Sequence, residues 1–202
     1  MISGRDTESL AERIRLPDIT LVGNHGMEIR RDGKSQLLPE VEEVAPRLEQ
    51  AARAVEGLAG IPGLRIERKR AAVSVHYRLA AEPEKAAAEI RPKMVEIAAR
   101  FGLSLQDGRM VFELRPNLPI DKGVIARRLV EEEGAEGIIY IGDDLTDVNA
   151  FRALTRMSSV TTLSVGVRSA ESPPEVLEEA DVLVEGVDGV RELLSALDLR
   201  PD

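Results

Sequence analysis

The sequence has no cysteine and no tryptophan, and aromatic residues make up only 2% of it. The lack of cysteine excludes a disulfide framework, a thiolate zinc site and a cysteine nucleophile. The two histidines argue against a zinc site built from imidazole ligands, because such a site needs more of them. Since 43% of the 202 residues are hydrophobic, a folded core is expected, and it must be mainly aliphatic.

Long apolar runs and an excess of positive charge are also missing. No run approaches the roughly 18 apolar residues of a transmembrane helix, and the first ten residues, MISGRDTESL, contain no apolar segment of the signal-peptide kind. The net charge of −9 disfavours non-specific binding to nucleic acid or to an acidic membrane, although a local basic pocket for a small anion is compatible with it. We therefore expect a soluble, cytoplasmic protein.

Turn and capping signals divide the sequence into three parts. Residues 1–38 predict a helix, a short strand and a hairpin that turns at Asp32-Gly33. Residues 39–114 predict the order helix, strand, strand, helix, strand, strand, which is typical of a compact α+β unit with its own sheet. Residues 115–202 alternate strand and helix, which indicates a parallel sheet covered on both faces. We predict that 1–38 and 115–202 form one α/β core and that 39–114 is a cap inserted into it.

Periodicity and turn residues predict the individual elements of this cap. A single amphipathic helix is predicted over 39–60, because apolar residues recur there at three- and four-residue spacing. A second helix is predicted over Pro83–Phe101, ended by Gly102. A hairpin over Leu103–Leu114 is predicted to turn at Asp107-Gly108.

The segment IIYIGDDLTD at 138–147 combines an apolar strand with three carboxylates. Asp143, Asp144 and Asp147 follow the strand, and ligands of open α/β sheets bind at the carboxyl ends of strands. Crowded carboxylates there favour a divalent cation, and oxygen ligands suit Mg²⁺ in contact with phosphate. The alternative is that Asp147 caps the next helix while the others are solvated; the adjacent pair of aspartates favours the metal.

Two further segments have features of phosphate binding. Lys122, in the sequence Asp121-Lys122-Gly123, opens a predicted helix, where backbone N–H groups and the helix dipole attract anions. The segment Ser3-Gly4-Arg5 offers a hydroxyl, exposed amides and a cation at the foot of another helix. Each segment taken alone is also explained by an ordinary surface lysine or a plain helix cap.

Polar residues also accumulate at one turn and along the predicted cap. The sequence GNHGME at 23–28 places hydrogen-bonding groups at a strand end, where glycines let a ligand approach the backbone. The alternative is an ordinary turn in which the histidine makes its hydrogen bonds within the protein. The charged residues of the cap strands and their exit form a pocket only if they converge on the core, and are otherwise the solvated face of a sheet. They are Lys69, His76, Arg78, Glu113 and Arg115.

Taken in order, these segments resemble the haloacid-dehalogenase superfamily and, within it, the trehalose-6-phosphate phosphatases. The most specific pieces are GNHGMEIR at 23–30, VHYR at 75–78, FELRP at 112–116, DKG at 121–123 and GDDLTDVNAF at 142–151. The resemblance implies a haloacid-dehalogenase-like, Rossmann-type core with a parallel sheet and an inserted α+β cap. It also implies Mg²⁺-dependent hydrolysis of trehalose 6-phosphate to trehalose and phosphate, with trehalose-6-phosphate synthase as a partner in the pathway.

The resemblance further implies a role for each candidate residue. Ser3 would bind phosphate through its hydroxyl, Lys122 would hold the phosphoryl group, and Asp143 would ligate Mg²⁺. Asp144 and Asp147 would lie in or just behind the metal shell. The residues implied to line the sugar-phosphate site are Arg5, Asn24, His25, Glu28 and Glu113, with Lys69, His76, Arg78 and Arg115 as further candidates from the cap and its exit.

One motif that the resemblance leads us to expect is absent. Members of the superfamily attack phosphorus with an aspartate of an Asp-x-Asp-Gly-Thr sequence, and the 202 residues contain no such sequence. We therefore expect the chain to be truncated before this motif, to lack the first strand of the core, and to be inactive and poorly soluble as given.

Three alternatives stay open. One is a phosphatase for another sugar phosphate, such as sucrose phosphate or a glucosyl or mannosyl phosphate ester. Another is a non-catalytic protein that binds a sugar phosphate. The third is a remnant of a longer protein that also carries the synthase.

Overall fold

Two compact units make up the structure, a computed structural model in which residues 1–197 are described. The first unit runs from Met1 to Pro119, and the second begins at Ile120. The predicted division into a core of 1–38 with 115–202 and a cap of 39–114 stays a prediction. None of the helices within the described residues has the length and apolar character needed to cross a membrane.

The first unit contains two sheets. Its elements in chain order are α1 (Thr7–Ile14), β1 (Leu21–Gly23), a 3-10 turn (Asn24–Gly26), β2 (Glu28–Arg31), β3 (Lys34–Leu37), α2 (Pro39–Glu42), α3 (Ala45–Glu56), β4 (Arg65–Arg68), β5 (Val73–His76), α4 (Pro83–Phe101), β6 (Leu103–Gly108) and β7 (Val111–Pro116). Strands β1, β2 and β3 form one antiparallel sheet, and Ile2 adds a parallel bridge to Val22. The second antiparallel sheet has the strand order β4-β5-β7-β6.

Local sequence explains where the helices of this unit begin and end. Asp6 caps α1, because its side chain accepts a hydrogen bond from the N–H of Ser9 at 2.8 Å. Pro83 lies in the first turn of α4, where its missing N–H has no cost, and Gly102 ends the helix in the left-handed conformation at φ 63°. The helix predicted over Pro83–Phe101 is confirmed at both ends.

The core of the first unit lies between the second sheet and helices α3 and α4. Its side chains are mainly aliphatic, as predicted, with Phe112 as a buried aromatic member. Val55, Ile90 and Leu114 have no exposed surface. Burial of each such side chain contributes about 1.5–3 kcal/mol to the free energy of folding.

The prediction of one helix over 39–60 is wrong, because this segment forms the two helices α2 and α3. Pro46 lies in the first turn of α3, and a proline there cannot donate the N–H that a continuous helix would need. The apolar spacing runs through both helices, so periodicity alone did not reveal the break.

The predicted turn at Asp107-Gly108 is also displaced. Gly108 pairs with Val111 in the ladder between β6 and β7, so the chain reverses at Arg109 and Met110. Met110, the second residue of this two-residue loop, has a positive φ of 61°. The hairpin itself is confirmed.

The second unit alternates strands and helices. Its elements are α5 (Lys122–Glu133), β8 (Gly137–Gly142), α6 (Leu145–Thr155), β9 (Thr161–Arg168), α7 (Pro174–Glu179), β10 (Val182–Glu185) and α8 (Gly186–Ala196). Its sheet has the order β10-β9-β8, and both pairings are parallel, as predicted. The short helix α7 was not predicted, because its six residues are too few for a periodic pattern.

Candidate active site

Three carboxylates of the second unit gather where β8 ends and α6 begins. Asp143 and Asp144 occupy the connection between Gly142 and Leu145. One oxygen from each of Asp143, Asp144 and Asp147 lies within 4.8 Å of the others. The three side chains differ in what they contact, and this difference separates their possible roles.

Asp147 is the most buried of the three, at 4% exposure, and protein donors occupy both of its carboxylate oxygens. Oδ1 accepts hydrogen bonds from Lys122 Nζ at 2.8 Å and from the Tyr140 hydroxyl at 2.9 Å. Oδ2 accepts from the backbone N–H groups of Asp143 at 3.1 Å and Asp144 at 3.2 Å. With four donors around it, Asp147 orders the connection and holds Lys122, and it has little capacity left for a metal ion.

Asp144 caps α6. Its Oδ1 accepts from the N–H of Thr146 at 2.6 Å and of Asp147 at 3.2 Å, and the Asp147 side chain completes a capping box. Burial raises the pKa of the Asp144 carboxyl, but the hydrogen bonds from Thr146 and the charge of Lys122 outweigh burial, so the pKa is lowered. Asp144 is therefore ionised at neutral pH, with Oδ2 at 3.4 Å from Lys122 Nζ.

Asp143 is exposed, and its carboxylate makes no hydrogen bond or ion pair with the residues that the structure describes. Its backbone N–H is held by Asp147 Oδ2, which fixes the position of the residue. Among the three acids, Asp143 is the one whose oxygens are most open to a ligand.

Lys122 reaches these acids because α5 and α6 pack closely. It is the first residue of α5, after Asp121, whose side chain caps the helix by accepting from the N–H of Val124 at 2.8 Å. A Cβ at Gly123 would lie 2.4 Å from the backbone oxygen of Asn149 in α6, so only glycine allows this approach. Lys122 is 6% exposed, and its ammonium group therefore depends on the carboxylates around it.

Tyr140 belongs to this site and was missed by sequence reasoning. It lies on β8, is 9% exposed and donates its hydroxyl to Asp147. Burial, and after it the charge of Asp147, raise the pKa of this phenol far above its ordinary value, so the hydroxyl stays protonated. Its position was the available signal: Tyr140 lies two residues before Gly142 and therefore on the same face of the strand.

In the first unit, the segment Ser3–Arg5 runs beside the 3-10 turn Asn24–Gly26. The N–H of Asn24 donates to the backbone oxygen of Arg5 at 2.8 Å, and the N–H of His25 donates to that of Ser3 at 3.0 Å. The Ser3 hydroxyl oxygen accepts from the N–H of Arg5 at 3.3 Å. The structure thus brings together four of the predicted residues, namely Ser3, Arg5, Asn24 and His25.

Glu28 lies beneath this turn and has no exposed surface. Its Oε2 accepts from the N–H of Thr7 at 3.1 Å and from Asn24 Nδ2 at 3.0 Å, and its Oε1 pairs with Arg70 Nη1 at 3.2 Å. A carboxylate engaged in this way supports the turn, and the predicted place of Glu28 in the lining of a sugar-phosphate site stays a prediction. Arg70 was not predicted, because only the fold brings it to Glu28.

A second polar cluster of the first unit lies on the sheet β4-β5-β7-β6. Ser74 and Glu113 are cross-strand partners, and the Ser74 hydroxyl donates to Glu113 Oε2 at 2.7 Å. Lys69 Nζ donates to the same oxygen at 3.0 Å. Burial raises the pKa of Glu113, but the Ser74 hydrogen bond and the Lys69 charge outweigh it, so the pKa is lowered. Arg115 Nε lies 3.5 Å from Glu113 Oε1.

His76 and Arg78 make other contacts. His76 Nε2 lies 3.1 Å from Glu67 Oε2, which also accepts from Arg65 Nη2 at 2.7 Å. Arg78 is exposed, and within residues 1–197 its side chain has no hydrogen bond or ion pair. Of the candidates from the predicted cap, the structure joins Lys69, Glu113 and Arg115, but not His76 or Arg78.

The fold is similar to that of known hydrolases. A haloacid dehalogenase-like hydrolase from Bacteroides thetaiotaomicron superimposes with a TM-score of 0.64 and 19% identity, over 96% of this chain and 84% of that one. A trehalose-6-phosphate phosphatase related protein superimposes with a TM-score of 0.73 and 26% identity, over 96% of this chain and 78% of that one. The predicted class, an α/β fold of the haloacid-dehalogenase type with a parallel sheet, is confirmed.

The sequence comparisons define the family within this class. Residues 1–183 match the model of the trehalose-phosphatase family. A trehalose-phosphate phosphatase from Mycobacterium marinum is 38% identical over 161 residues, which cover 76% of this chain and 41% of that protein. The chain belongs to the trehalose-phosphatase family, as the motifs predicted, and it spans about two fifths of the length of the curated relatives that it matches.

Proposed function

We propose that the protein is a phosphatase that hydrolyses trehalose 6-phosphate to trehalose and phosphate with the help of Mg²⁺. The observation that carries this proposal is the buried ammonium group of Lys122, held by Asp147 beside the open carboxylate of Asp143 at the end of β8. A cation next to an open carboxylate suits a phosphate ester that is bound together with a divalent metal ion. Family membership and the name of the Mycobacterium marinum relative, a trehalose-phosphate phosphatase, support the choice of substrate.

The donor set of the second unit fits Mg²⁺, which prefers oxygen ligands. Asp143 would hold the ion through its open carboxylate, and Asp144 would add Oδ2, whose hydrogen bond within the described residues is the 3.4 Å contact with Lys122. Asp147 would stay behind them, since its oxygens are occupied. When bound, the ion would offset negative charge on the phosphoryl oxygens.

On the strength of the resemblance, Lys122 of the second unit and Ser3 of the first unit are both assigned to the phosphoryl group. Within its own unit, Lys122 has its ammonium group held by Asp147, and Ser3 carries its hydroxyl on a segment bonded to the Asn24–Gly26 turn. The 202 residues contain no Asp-x-Asp-Gly-Thr sequence, so none of them is assigned the attack on phosphorus.

The sugar is assigned to the first unit. Sugar hydroxyls need both donors and acceptors, and Lys69, Arg115 and the ionised Glu113 supply them in one cluster. Arg5, Asn24 and His25 are assigned to the sugar phosphate on the strength of the resemblance, as are His76 and Arg78. We also propose that the enzyme is cytoplasmic and that trehalose-6-phosphate synthase supplies its substrate.

The test is phosphate release from trehalose 6-phosphate by the whole natural protein, with Mg²⁺ and after its removal by EDTA. We expect turnover only with Mg²⁺, and a loss of about 10²- to 10³-fold in Asp143→Asn, since this substitution removes a ligand of the ion that would offset transition-state charge. Asp188→Asn is the matched control, because Asp188 is an exposed acid of the same unit whose ion pair within residues 1–197 is with the nearby Arg191.

Each other outcome points to a specific alternative. Full activity in Asp143→Asn would overturn the metal assignment. Release of phosphate from sucrose phosphate but not from trehalose 6-phosphate would overturn the substrate. Binding of trehalose 6-phosphate by calorimetry without any phosphate release would identify a non-catalytic sugar-phosphate-binding protein.

A further inference from the structure

Arg70 joins the two sheets of the first unit. It lies between β4 and β5, and its Nη1 contacts Glu28 Oε1 at 3.2 Å and donates to the backbone oxygen of Ser35 at 2.9 Å. Glu28 and Ser35 belong to β2 and β3 of the other sheet. Glu28 is fully buried while the Arg70 side chain is 45% exposed, so the guanidinium group supplies the buried carboxylate with a cation from the surface.

Glu28 supports a turn whose backbone is strained. Asn24 and His25 have φ values of 50° and 57°, in the left-handed region that residues other than glycine enter at a cost in free energy. Such a turn persists when its surroundings hold it in place. Glu28 does so through Asn24 Nδ2, and the same oxygen binds the first N–H of α1, at Thr7.

The position of the Asn24–Gly26 turn determines the position of the Ser3–Arg5 segment. Two backbone hydrogen bonds join the two segments, and a Cβ at Gly4 would lie 2.6 Å from the His25 ring. The imidazole of His25 is therefore packed directly on the Gly4 backbone. Any shift of the turn is transmitted to the segment that carries the Ser3 hydroxyl.

Lys69, the residue before Arg70, belongs to the polar cluster of Lys69, Ser74, Glu113 and Arg115. Its Nζ donates to Glu113, whereas Arg70 contacts Glu28. The turn between β4 and β5 is closed by a hydrogen bond from the N–H of Lys69 to the backbone oxygen of Ala72 at 2.8 Å, and Ala72 is only 1% exposed. One turn, closed by this backbone hydrogen bond, thus contributes adjacent side chains to both polar clusters of this unit.

We propose that Arg70 is a positioning residue that, through Glu28, sets the Asn24–Gly26 turn and the Ser3–Arg5 segment relative to the Lys69–Glu113 cluster. Arg70 acts without touching the substrate itself. The geometric part of this inference is independent of the substrate, while its kinetic consequence rests on the proposed function. The two parts therefore need separate measurements.

The geometric part is tested by NMR of the imidazole groups in the whole natural protein. The 202 residues contain two histidines, His25 and His76, and substitution of each one assigns its signals. We expect Arg70→Met and Glu28→Gln to shift the His25 signals while those of His76 stay in place, and Arg70→Lys to return the His25 signals towards their original positions. Loss of stability alone would not move the signals of one histidine in the folded protein.

Arg68→Met is the matched control for loss of an arginine from the same segment. Arg68 pairs with Glu49 and Glu56 of α3 and has no contact with Glu28. We expect this variant to leave the His25 signals unchanged. Should Arg70→Met fail to fold, Arg70→Gln, which keeps one donor and removes the charge, takes its place.

The kinetic part is tested with trehalose 6-phosphate as substrate. We expect kcat/KM to fall by about tenfold to a hundredfold in Arg70→Met, as for a misplacement of about 1 Å in a positioning group, and to stay unchanged in Arg68→Met. Unshifted His25 signals in Arg70→Met would overturn the positioning role. Shifted signals together with an unchanged kcat/KM would overturn its kinetic consequence. Shifted signals in a protein that does not hydrolyse trehalose 6-phosphate would confirm the geometric role and overturn only the proposed function.

Discussion

Within residues 1–197, each unit buries one carboxylate and surrounds it with protein donors, but the cations that pair with the two carboxylates differ. Glu28 of the first unit pairs with Arg70, whose side chain is 45% exposed. Asp147 of the second unit pairs with Lys122, whose side chain is 7% exposed. The cation of the first unit therefore remains in contact with water, while that of the second unit depends on its carboxylates.

This difference in exposure indicates different roles: the ion pair of Glu28 supports the backbone, whereas that of Asp147 holds a charged group at the candidate active site. An exposed guanidinium group that loses its partner is still hydrated, so the pair of Glu28 and Arg70 mainly orders backbone segments. A buried ammonium group that loses its partner has no such compensation. Asp147 therefore stabilises the charged ammonium group of Lys122 at the edge of the sheet, next to the open carboxylate of Asp143.

Substitution of the two buried acids tests this comparison and has the largest expected effect. We expect Asp147→Ala to lower the free energy of unfolding by about 3–5 kcal/mol, because the buried Lys122 ammonium loses its partner at 2.8 Å and is left with the longer 3.4 Å contact to the exposed Asp144. We expect Glu28→Ala to cost about 1–3 kcal/mol, since it orphans donors at Thr7 and Asn24 while Arg70 is hydrated. Urea unfolding of both variants measures the two costs. A larger loss in Glu28→Ala would break the comparison.

Removal of one donor from Asp147 has a smaller effect. We expect Tyr140→Phe to lower the free energy of unfolding by about 1–2 kcal/mol, because Asp147 keeps three of its four donors. Thermal or urea unfolding is the measurement. Tyr77→Phe is the matched control, since Tyr77 packs its ring against Phe112 and its hydroxyl has no hydrogen bond within the described chain. Equal losses in the two variants would show that the Tyr140 hydroxyl contributes nothing specific.

The pH dependence of stability should reveal the partly buried Glu113, with the smallest effect. Because its pKa is lowered in the folded state, its contribution to stability is complete above the unfolded glutamate pKa of about 4.3 and is lost as the pH falls through the lowered folded-state value. We expect the difference in unfolding free energy between the natural protein and Glu113→Gln to be constant near neutral pH and to shrink below about pH 4.3. Glu96→Gln, at an exposed position of α4, should show no such change. A difference that grows as the pH falls would mean that the pKa of Glu113 is raised.

Much of the local structure was predictable because the signals are local. Asp6, Asp121 and Gly102 mark helix ends through their own hydrogen bonds or backbone conformation, and the motif at 142–151 places its acids directly after a strand. The break at Pro46 was missed because apolar spacing continued across it. The family was also readable, because the order of short motifs does not depend on distances in space.

The partners of the buried acids were decided by tertiary structure. The sequence determines that Glu28 and Asp147 are carboxylates near turns, and both were candidates for contact with ligand or metal. Only the fold shows that Arg70 lies 42 positions from Glu28 along the chain yet forms its ion pair, and that Lys122 lies 25 positions from Asp147 yet donates to it at 2.8 Å. The physical reason is that a hydrogen bond forms only between atoms about 3 Å apart, whatever their separation along the sequence. Which carboxylates are occupied by protein donors, and which stay open as Asp143 does, therefore depends on how separate elements pack.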